Sequence, residues 1–378
     1  MKVLLGLSGG IDSAVSAYLL GKQGYEIEAV NMILWSGFSD KTDSACTNKC
    51  CDGSDSCNVR SDSCFSPNKE VQMKKVRLLA SRLGIAVSFI DCSSEFQREV
   101  LGNFRTEYMR GCTPNPCVIC NHMVKFGALV EKAEKAGLSF DKVATGHYAR
   151  VEKKGERFCL RKGVDEKKDQ SYFLCRLSQE QLSKVIFPLG GLCKDEVRRI
   201  DVANGFHEEK QTESQDFYSG PYSELLNVKP RNGNIVDTDG RILGTHKGFW
   251  NYTIGQRKGL GIAAPHPLYV IELRPDSNEV VVGWEESTRA QEVRAADVNW
   301  VSVADVQELA KCHDLNAKIR SVGGGVPCTV TCSMDDCLGK DGPVLQVLFE
   351  HEVNSPTPGQ SLVVYDSDGY VLCGGTII

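Results

Sequence analysis

The chain has 378 residues, of which 25% are charged and 41% are hydrophobic, and its formal net charge is −5. This composition is typical of a soluble globular protein, and the length is sufficient for two or three domains. No apolar run approaches the ~18 residues of a membrane-spanning helix, so we expect a cytoplasmic protein without a membrane partner. The acidic total does not point to nucleic-acid binding, although a local basic face can exist in an acidic chain.

The N-terminal half alternates short apolar runs with amphipathic segments. The first run, KVLLGL, contains one lysine and ends in glycines, so it predicts a buried strand rather than a signal peptide. Strands and helices that alternate in this way predict a parallel sheet covered on both faces, within a first domain of residues 1–204. The later elements are the helix IDSAVSAYLLGKQG, the strand IEAVNMIL, the helix EVQMKKVRLLASRLG, the strand IAVSFIDC, the helix FGALVEKAEKAG and the strand DKVATGH.

A glycine-rich loop follows the first strand and opens the first helix. Glycines let backbone amides approach an anion closely, and a helix N-terminus favours negative charge. The loop is neither a Walker A motif nor a Gly-x-Gly-x-x-Gly motif, and its plain alternative is a glycine turn with an Asp-Ser N-cap. We predict that it binds phosphate, through Gly6, Leu7, Ser8, Gly9, Gly10, Ile11, Asp12 and Ser13.

Cysteine is frequent, with 17 residues, but an odd total without a secretion signal argues against a disulfide scaffold. A segment rich in Ser, Asp and Asn has no hydrophobic period and predicts a long loop or insertion over about residues 37–66. Its thiols belong either to a reduced cytosolic loop or to a metal site, although no histidine lies nearby and the spacing gives no two clean Cys-x-x-Cys pairs. Its cysteines are Cys46, Cys50, Cys51, Cys57 and Cys64.

A second group of cysteines occurs in the stretch GCTPNPCVICN, residues 111–121. Its two prolines exclude a helix before Cys117, and the pattern becomes apolar and helix-like from Val118 onward. Cys117 and Cys120 therefore lie where an exposed loop enters a helix, a setting that favours the thiolate. The spacing alone fits a zinc knuckle, a redox pair, half of an iron–sulfur site or a catalytic nucleophile.

After about Asn204 the sequence changes to short alternating runs separated by Gly, Pro and Asp-Gly turns. Such runs predict hairpins, so we expect a mostly antiparallel C-terminal half. We divide it into a small central domain of residues 205–283 and a β-barrel domain of residues 284–378. The runs are NIVDTDGRILG, PLYVIEL, NEVVVGW, PCTVTC, PVLQVLFE and QSLVVYDSDGYVLCGG.

The glycine-rich loop resembles the Ser-Gly-Gly-x-Asp-Ser loop of the ATP pyrophosphatases. The motifs after it, TPNPCVICN, ATGHYAR, KDQSYFL, TIGQRKGLGI and TPGQSLV, follow the order of the tRNA-specific 2-thiouridylases. The resemblance covers essentially the whole chain apart from the Cys46–Cys64 segment. It implies an α/β domain with adenine-nucleotide α-hydrolase-like (ATP pyrophosphatase) topology, then a small β module and a β-barrel. It also implies ATP with Mg²⁺, tRNA, and a sulfur donor protein, either a cysteine desulfurase or a relay protein.

The implied reaction makes 2-thiouridine at the wobble position of tRNA. ATP adenylates the uracil 2-oxygen, and a protein-bound persulfide sulfur then displaces AMP. ATP is needed because an amide-like oxygen is a poor leaving group whereas AMP is a good one. The alternatives are a sulfur-inserting paralogue that acts on another RNA and a tRNA-binding protein that has lost turnover. An amidating ligase would need a glutaminase domain or an ammonia source, and the sequence contains no such domain.

The resemblance also assigns roles to residues outside the phosphate loop. Met32 would touch the adenine, Gly146 would line the nucleotide pocket, and Cys120 matches the first catalytic cysteine. Two of the residues assigned to tRNA contact have plain alternatives. His147 could be a buried structural histidine, and Lys168 could be one charge on a solvated basic run. The implied tRNA contacts are Asn115, Pro116 and Cys117 at the target base, Lys168, Asp169 and Gln170 in a tRNA-contacting stretch, and His147 and Gln360 in tRNA selection.

Two positions depart from the family pattern. Cys117 replaces an aspartate of many members, and Tyr218 stands at the second catalytic cysteine, where it cannot carry a persulfide. In one scheme Cys117 and Cys120 act as a redox Cys-x-x-Cys pair, which carries the persulfide and forms the disulfide between its two thiols. In the other they are two ligands of a [4Fe–4S] cluster, with a third from Cys112 or the Cys46–Cys64 segment. We favour the cluster, because it explains the extra cysteines and Tyr218 together, whereas a closed zinc site would consume the thiolate.

Overall fold

The computed structural model describes residues 1–34, 69–207, 218, 222–333 and 342–378. The predicted insertion around the Cys46–Cys64 segment lies outside these residues. The described strands form a five-stranded sheet, a four-stranded sheet, a closed barrel and one separate hairpin. None of the described helices has the length and apolar character needed to cross a membrane.

The N-terminal part contains the five-stranded sheet, its helices and the separate hairpin. Two helices are composite and include a π-helical stretch. The first, α3, joins Ser93–Glu95, the π-helical Phe96–Leu101 and Gly102–Met109, and the second, α4, joins Pro116–Ile119, the π-helical Cys120–Ala128 and Leu129–Lys135. The other elements are β1 (Lys2–Gly6), α1 (Ile11–Lys22), β2 (Glu26–Ile33), α2 (Lys69–Leu83), β3 (Val87–Asp91), β4 (Lys142–Ala144), β5 (Ala149–Lys154), β6 (Arg157–Lys162), a 3₁₀ turn (Ser171–Leu174), α5 (Gln179–Lys184), β7 (Val185–Ile186) and α6 (Lys194–Ala203).

The five-stranded sheet has the order β3-β2-β1-β4-β7, and all of its pairs are parallel. Successive residues of β1 point to opposite faces. Leu5 packs in a cluster with Ala17 of α1, whereas Leu4 packs in a larger cluster with Phe104 of α3 and Val124 of α4. Helices therefore cover both faces, as the alternating pattern predicts. The hairpin β5–β6 was not predicted, because its charged sequence lacks an apolar alternation.

The C-terminal part is mainly β, as predicted. The four-stranded sheet has the order β10-β11-β8-β9, in which β8 and β11 pair in parallel and the two hairpins are antiparallel. The barrel has the order β12-β15-β14-β13-β16-β17 and closes through antiparallel pairs. The bounds are α7 (Tyr222–Leu226), β8 (Gly233–Val236), β9 (Ile242–His246), a 3₁₀ turn (Phe249–Asn251), β10 (Tyr269–Arg274), β11 (Glu279–Gly283), a 3₁₀ turn (Glu285–Thr288), β12 (Arg289–Trp300), α8 (Val306–Leu309), β13 (Asn316–Lys318), β14 (Val326–Ser333), β15 (Val344–Asn354), β16 (Ser361–Tyr365) and β17 (Val371–Ile377).

Both C-terminal units pack against the N-terminal part through buried apolar residues. The cluster that contains Phe104 of α3 continues into Val270 and Val280 of the four-stranded sheet. On the barrel side, Leu160 of β6 shares a cluster with Val363 of β16. These shared cores fix the two β units against the segments that carry the predicted site residues.

Candidate active site

The predicted phosphate loop lies between the end of β1 and the start of α1. Gly9 has a φ of +87°, in the left-handed region that favours glycine. Ser13 Oγ donates to the Gly10 carbonyl at 2.9 Å, and Ser8 Oγ lies 3.2 Å from Ser13 Oγ, so the two hydroxyls hold the loop closed on itself. Gly10 is the N-cap and has no side chain to accept from the first amides of α1, which leaves them suited to an anion.

Asp12 is held from two directions by side chains that are distant in sequence. The Tyr148 hydroxyl and the Lys194 ammonium both donate to Asp12 Oδ1, each at 2.7 Å. Lys194 is only 5% exposed, and its ion pair with Asp12 offsets part of the cost of burying the ammonium. Neither residue was predicted to belong to the site. Tyr148 lies within the motif ATGHYAR but carried no predicted role, and a single lysine at a helix start gives no local signal.

A cavity of about 260 Å³ opens at the carboxyl edge of the parallel sheet, beside the phosphate loop. This edge is where parallel α/β sheets commonly bind ligands. An added Cβ at Gly146 would lie 2.9 Å from the Asp12 backbone, so this wall has room only for glycine. The cavity brings together the predicted nucleotide-site residues Gly6, Leu7, Ser8, Asp12, Ser13, Met32 and Gly146.

Two residues predicted to contact tRNA, His147 and Gln170, lie in the wall of the same cavity. Thr145 Oγ1 and His147 Nδ1 are 2.6 Å apart, and the Gln170 side-chain oxygen accepts from the Tyr148 amide at 3.0 Å. Burial, and secondarily the charge of Lys125, hold the pKa of His147 well below its usual value. His147 is therefore a neutral imidazole at the inner end of the site.

Lys168 and Asp169 lie in the connection that follows β6. The Asp169 carboxylate accepts from the Gly163 and Ser171 amides, both at 3.1 Å, so it fixes the path of the chain into the 3₁₀ turn. The backbone amide of Lys168 donates to Asp165 at 3.0 Å. Asp169 thus stabilises the local chain path through these hydrogen bonds. The contact of Lys168 and Asp169 with tRNA stays a prediction.

The predicted transition from loop to helix is present at the Cys-x-x-Cys motif. Asn115 is the N-cap, with its side-chain oxygen accepting from the Val118 amide at 3.4 Å, and Pro116 is the first helical residue. Cys117 is exposed in the first turn of α4, and Cys120 is half-buried where the π-helical stretch begins. Residues three apart on a helix share a face, so the two thiols are neighbours.

The same helix reaches the cavity beside the glycine-rich loop. Lys125 lines the cavity, and its ammonium donates to Asn121 Oδ1 at 2.8 Å. Asn121 is buried and donates to the Phe173 carbonyl at 3.1 Å, which anchors the helix at this point. Lys125 follows Cys120 by five residues within the π-helical stretch, which is little more than one helical turn. Neither residue was predicted to belong to the site, although Asn121 ends the stretch GCTPNPCVICN and Lys125 lies four residues after it.

Gln360 lies on the other side of the cysteine motif. Its side-chain nitrogen donates to the Thr113 carbonyl at 2.6 Å, so the barrel contacts the loop that leads into Cys117. Cys112, in the same loop, is half-buried. Within the described ranges, the His, Cys, Asp and Glu side chains form no group of three or more that could hold a metal ion. Cys112, Cys117 and Cys120 therefore do not form a three-ligand site by themselves.

Tyr218 packs against the apolar cluster that Cys120 also contacts. Its hydroxyl donates to Glu224 Oε2 at 2.5 Å. Burial and this hydrogen bond raise the pKa of Tyr218 above its usual value, so the phenol stays protonated. The position at which the resemblance leads us to expect a second cysteine therefore holds a neutral hydrogen-bonded phenol.

Comparison with known proteins covers nearly the whole chain. Family models described as a tRNA methyl transferase HUP domain, a tRNA methyl transferase PRC-barrel domain and an aminomethyltransferase β-barrel domain match residues 1–218, 224–284 and 290–378. A tRNA-specific 2-thiouridylase MnmA of Endomicrobium trichonymphae is 41% identical, over 100% of this chain and 99% of that protein. Those of Geobacter metallireducens and Caldanaerobacter subterraneus are 40% and 39% identical over 100% of this chain, and 96% and 97% of theirs. This chain belongs to the tRNA-specific 2-thiouridylase MnmA family.

Proposed function

We propose that this protein is an ATP-dependent tRNA-uridine 2-sulfurtransferase that converts the wobble uridine of tRNA to 2-thiouridine. The observation that carries the proposal is the path of helix α4. Its first turns carry Cys117 and Cys120, and little more than one turn after Cys120 it contributes Lys125 to the cavity beside the predicted phosphate loop. A uracil bound beside the first turns of α4 would therefore lie close both to a nucleotide in the cavity and to the two thiols.

Adenylation is the first step of the proposed reaction. The phosphate loop would hold the ATP phosphates, and Met32 and Gly146 would contact the nucleoside. Asp12 is a carboxylate on the cavity wall, so it fits a Mg²⁺ ion that neutralises phosphate charge. The uracil 2-oxygen attacks the α-phosphate, and pyrophosphate leaves. The ammonium of Lys125 would stabilise the charge that develops on the transferred phosphoryl group.

Sulfur transfer is the second step. Asn115, Pro116 and Cys117 would contact the target base, and Cys120 would carry the persulfide. The terminal sulfur attacks C2 and AMP leaves, which gives a base–S–S–Cys120 intermediate. The Cys117 thiolate then attacks the Cys120 sulfur, so the product 2-thiouridine is released as its thiolate and a Cys117–Cys120 disulfide forms. An external thiol reductant restores both thiols.

The [4Fe–4S] scheme requires ligands beyond those that the described residues bring together. Its further ligands would come from the Cys46–Cys64 segment, which lies outside the described residues. The two-cysteine scheme needs no such ligand and uses the shared helix face of Cys117 and Cys120. We therefore propose the two-cysteine scheme. Iron analysis of the purified protein distinguishes it from the [4Fe–4S] scheme.

The proposed partners are tRNA and a sulfur donor protein, either a cysteine desulfurase or a relay protein, in the cytoplasm. We propose three functional domains, 1–204, 205–283 and 284–378. The tRNA would contact Lys168, Asp169, Gln170, His147 and Gln360. The alternative of a binding protein without turnover is less well supported, because Ser8, Asp12 and Ser13 are present and hydrogen-bonded in the loop. A paralogue acting on another RNA would share this site.

Affinity for tRNA should fall steeply with salt, although the chain is acidic overall. Each cation that contacts a phosphate contributes about 0.7–0.9 to the log–log slope, so a slope of several units is expected. Lys168 and the exposed pair Arg257 and Lys258 are the candidate contacts. Replacing the pair by glutamine should reduce the slope by about 1–2 units in fluorescence binding titrations.

The matched control for this titration is Lys135→Gln. Lys135 ends α4, about 22 Å along the helix axis from Cys120 at ~1.5 Å per residue, so it should leave the slope unchanged. A binding constant that does not change between low and physiological salt would contradict the assignment of tRNA as the partner.

A further inference from the structure

The loop before the cysteine motif is bound by a turn of the C-terminal barrel, residues Thr357–Gln360. The Thr113 amide donates to the Pro358 carbonyl at 2.8 Å, and the Gln360 side chain donates to the Thr113 carbonyl at 2.6 Å. Both backbone polar groups of Thr113 are thus satisfied by the barrel. Thr113 and Gln360 are 247 positions apart in sequence, so this is a contact between separate folding units.

The contact is also sterically close. Gly359 has a φ of +92°, and an added Cβ there would lie 3.0 Å from the Thr113 backbone and 3.1 Å from Cys112 Cβ. The loop also contacts the β10–β11 hairpin of the four-stranded sheet, since an added Cβ at Gly111 would lie 3.3 Å from Leu273 Cβ and 3.1 Å from Pro275. Both C-terminal units therefore contact residues 111–113.

The turn itself is fixed within the barrel. The Gly359 amide donates to the Ile377 carbonyl at 2.9 Å, and the Ile377 amide donates back to the Gln360 carbonyl at 2.8 Å. The turn is therefore tied to the end of β17 and cannot shift alone. A change in the orientation of the barrel would therefore move Thr113 with it.

A short and stiff connection joins Thr113 to the cysteines. Pro114 and Pro116 fix their own φ angles and restrict the residues before them, so little freedom remains between Thr113 and the first turn of α4. Asn115 lies between the prolines and caps the helix. A displacement of Thr113 would consequently change the position of the cap and of Cys117.

We propose that the Thr357–Gln360 turn is a latch that positions the start of helix α4, so that the C-terminal barrel controls sulfur transfer as well as tRNA binding. The role in sulfur transfer rests on the function proposed above. Gln360 is then a positioning residue. A glutamine carboxamide has two N–H groups and an oxygen, so one N–H can hold Thr113 while the other groups meet tRNA. Binding of tRNA at the barrel would in this way be coupled to the geometry of the thiols.

The first test is hydrogen–deuterium exchange on the protein without tRNA, in a peptide covering residues 111–116. Pro114 and Pro116 contribute no amide, so the signal is dominated by few sites, among them Thr113. Gln360→Ala and Gln360→Glu should each speed exchange of the Thr113 amide about tenfold, because the latch is loosened. Gln360→Glu keeps the volume but replaces the donor with an acceptor, which separates the hydrogen bond from the packing.

The second test is steady-state thiolation with the same variants. The kcat should fall about tenfold, while the KM for tRNA changes less than about threefold, because misplacement of the thiols affects the chemical step. Gln346→Ala is the matched control, since Gln346 is a glutamine of the same barrel whose side-chain oxygen accepts from Thr331 on the neighbouring strand. It should leave both exchange and kcat at wild-type values.

Unchanged exchange at Thr113 in both Gln360 variants would overturn the latch. A rise in the KM for tRNA with unchanged kcat would also overturn it, because Gln360 would then serve tRNA contact alone. The exchange experiment needs no substrate, so it decides the contact independently of activity. The two failures are distinguishable. If the wild-type protein forms no 2-thiouridine but the Gln360 variants still speed exchange at Thr113, the proposed function and the role of the latch in sulfur transfer are wrong, whereas the positioning contact is retained.

Discussion

Cys120→Ser should abolish tRNA thiolation, with a loss of at least about 10³-fold, and leave tRNA-dependent pyrophosphate release nearly unchanged. A serine hydroxyl cannot carry a sulfane sulfur, and loss of a covalent nucleophile typically costs this much or more. Adenylation should persist because the residues that line the nucleotide cavity do not include Cys120. The two steps are measured separately, by nucleoside mass spectrometry for 2-thiouridine and by a coupled assay for pyrophosphate.

Two further variants and an iron analysis decide which sulfur chemistry is used. Cys312→Ser is the control, since Cys312 is a half-buried cysteine of the barrel whose thiol contacts Glu308, and it should retain full thiolation. Cys117→Ser should lose thiolation in either scheme, and full activity of this variant would exclude both. Anaerobically purified protein that contains no iron but thiolates tRNA completely would exclude the cluster and leave the two-cysteine scheme.

Asp12→Ala should abolish pyrophosphate release and thiolation together. Asp12 lines the cavity and is the acceptor for both Tyr148 and Lys194, so the variant loses a carboxylate beside the proposed phosphate site and the ion pair that this carboxylate makes with the buried Lys194 ammonium. Ser13→Ala removes the hydroxyl that ties the loop to the Gly10 carbonyl and should act in the same direction. Activity should fall by about 10²–10³-fold, the usual cost of losing a preorganised electrostatic contact to a transferring group.

Asp12→Ala should also lower the free energy of unfolding by about 1–3 kcal/mol, because it breaks a buried ion pair. The expected loss lies at the low end for such a pair because a third of the Asp12 side chain is exposed to solvent. Asp12→Asn preserves the size and separates charge from packing in the same denaturation experiment. Asp141→Asn is a matched control, since Asp141 accepts from Lys2 at the start of β1, at the opposite edge of the sheet. Pyrophosphate release that survives in Asp12→Ala would refute the assignment of the loop.

The parallel sheet and the position of the glycine-rich loop between a strand and a helix could be predicted because their signals are local. Apolar runs alternate with amphipathic segments, and the glycines of the loop fall between a strand and a helix. The loop-to-helix transition at Asn115 and Pro116 is equally local, since a capping side chain and a proline at the first helical position mark it. The π-helical stretch from Cys120 to Ala128 was not predictable, because nothing in the pattern distinguishes it from a regular helix.

The missed partners of Asp12 depend on contacts between distant segments. Lys194 is 182 positions from Asp12, and Tyr148 is 136 positions from it, so neither pairing has a local signature. The same holds for Gln360 and Thr113, which each lie in a recognisable motif, although neither motif indicates that the two meet. His147 and Gln170 were expected at a tRNA contact, and their position in the cavity wall follows from the fold alone.

The measurement that tests the central claim most directly is mass spectrometry of tRNA nucleosides from a strain that lacks the gene for this chain. We expect 2-thiouridine derivatives to disappear from tRNA, to return with a plasmid copy of the wild-type gene, and not to return with the Cys120→Ser copy. Normal levels of 2-thiouridine derivatives in the deletion strain would contradict the proposal that this protein thiolates tRNA.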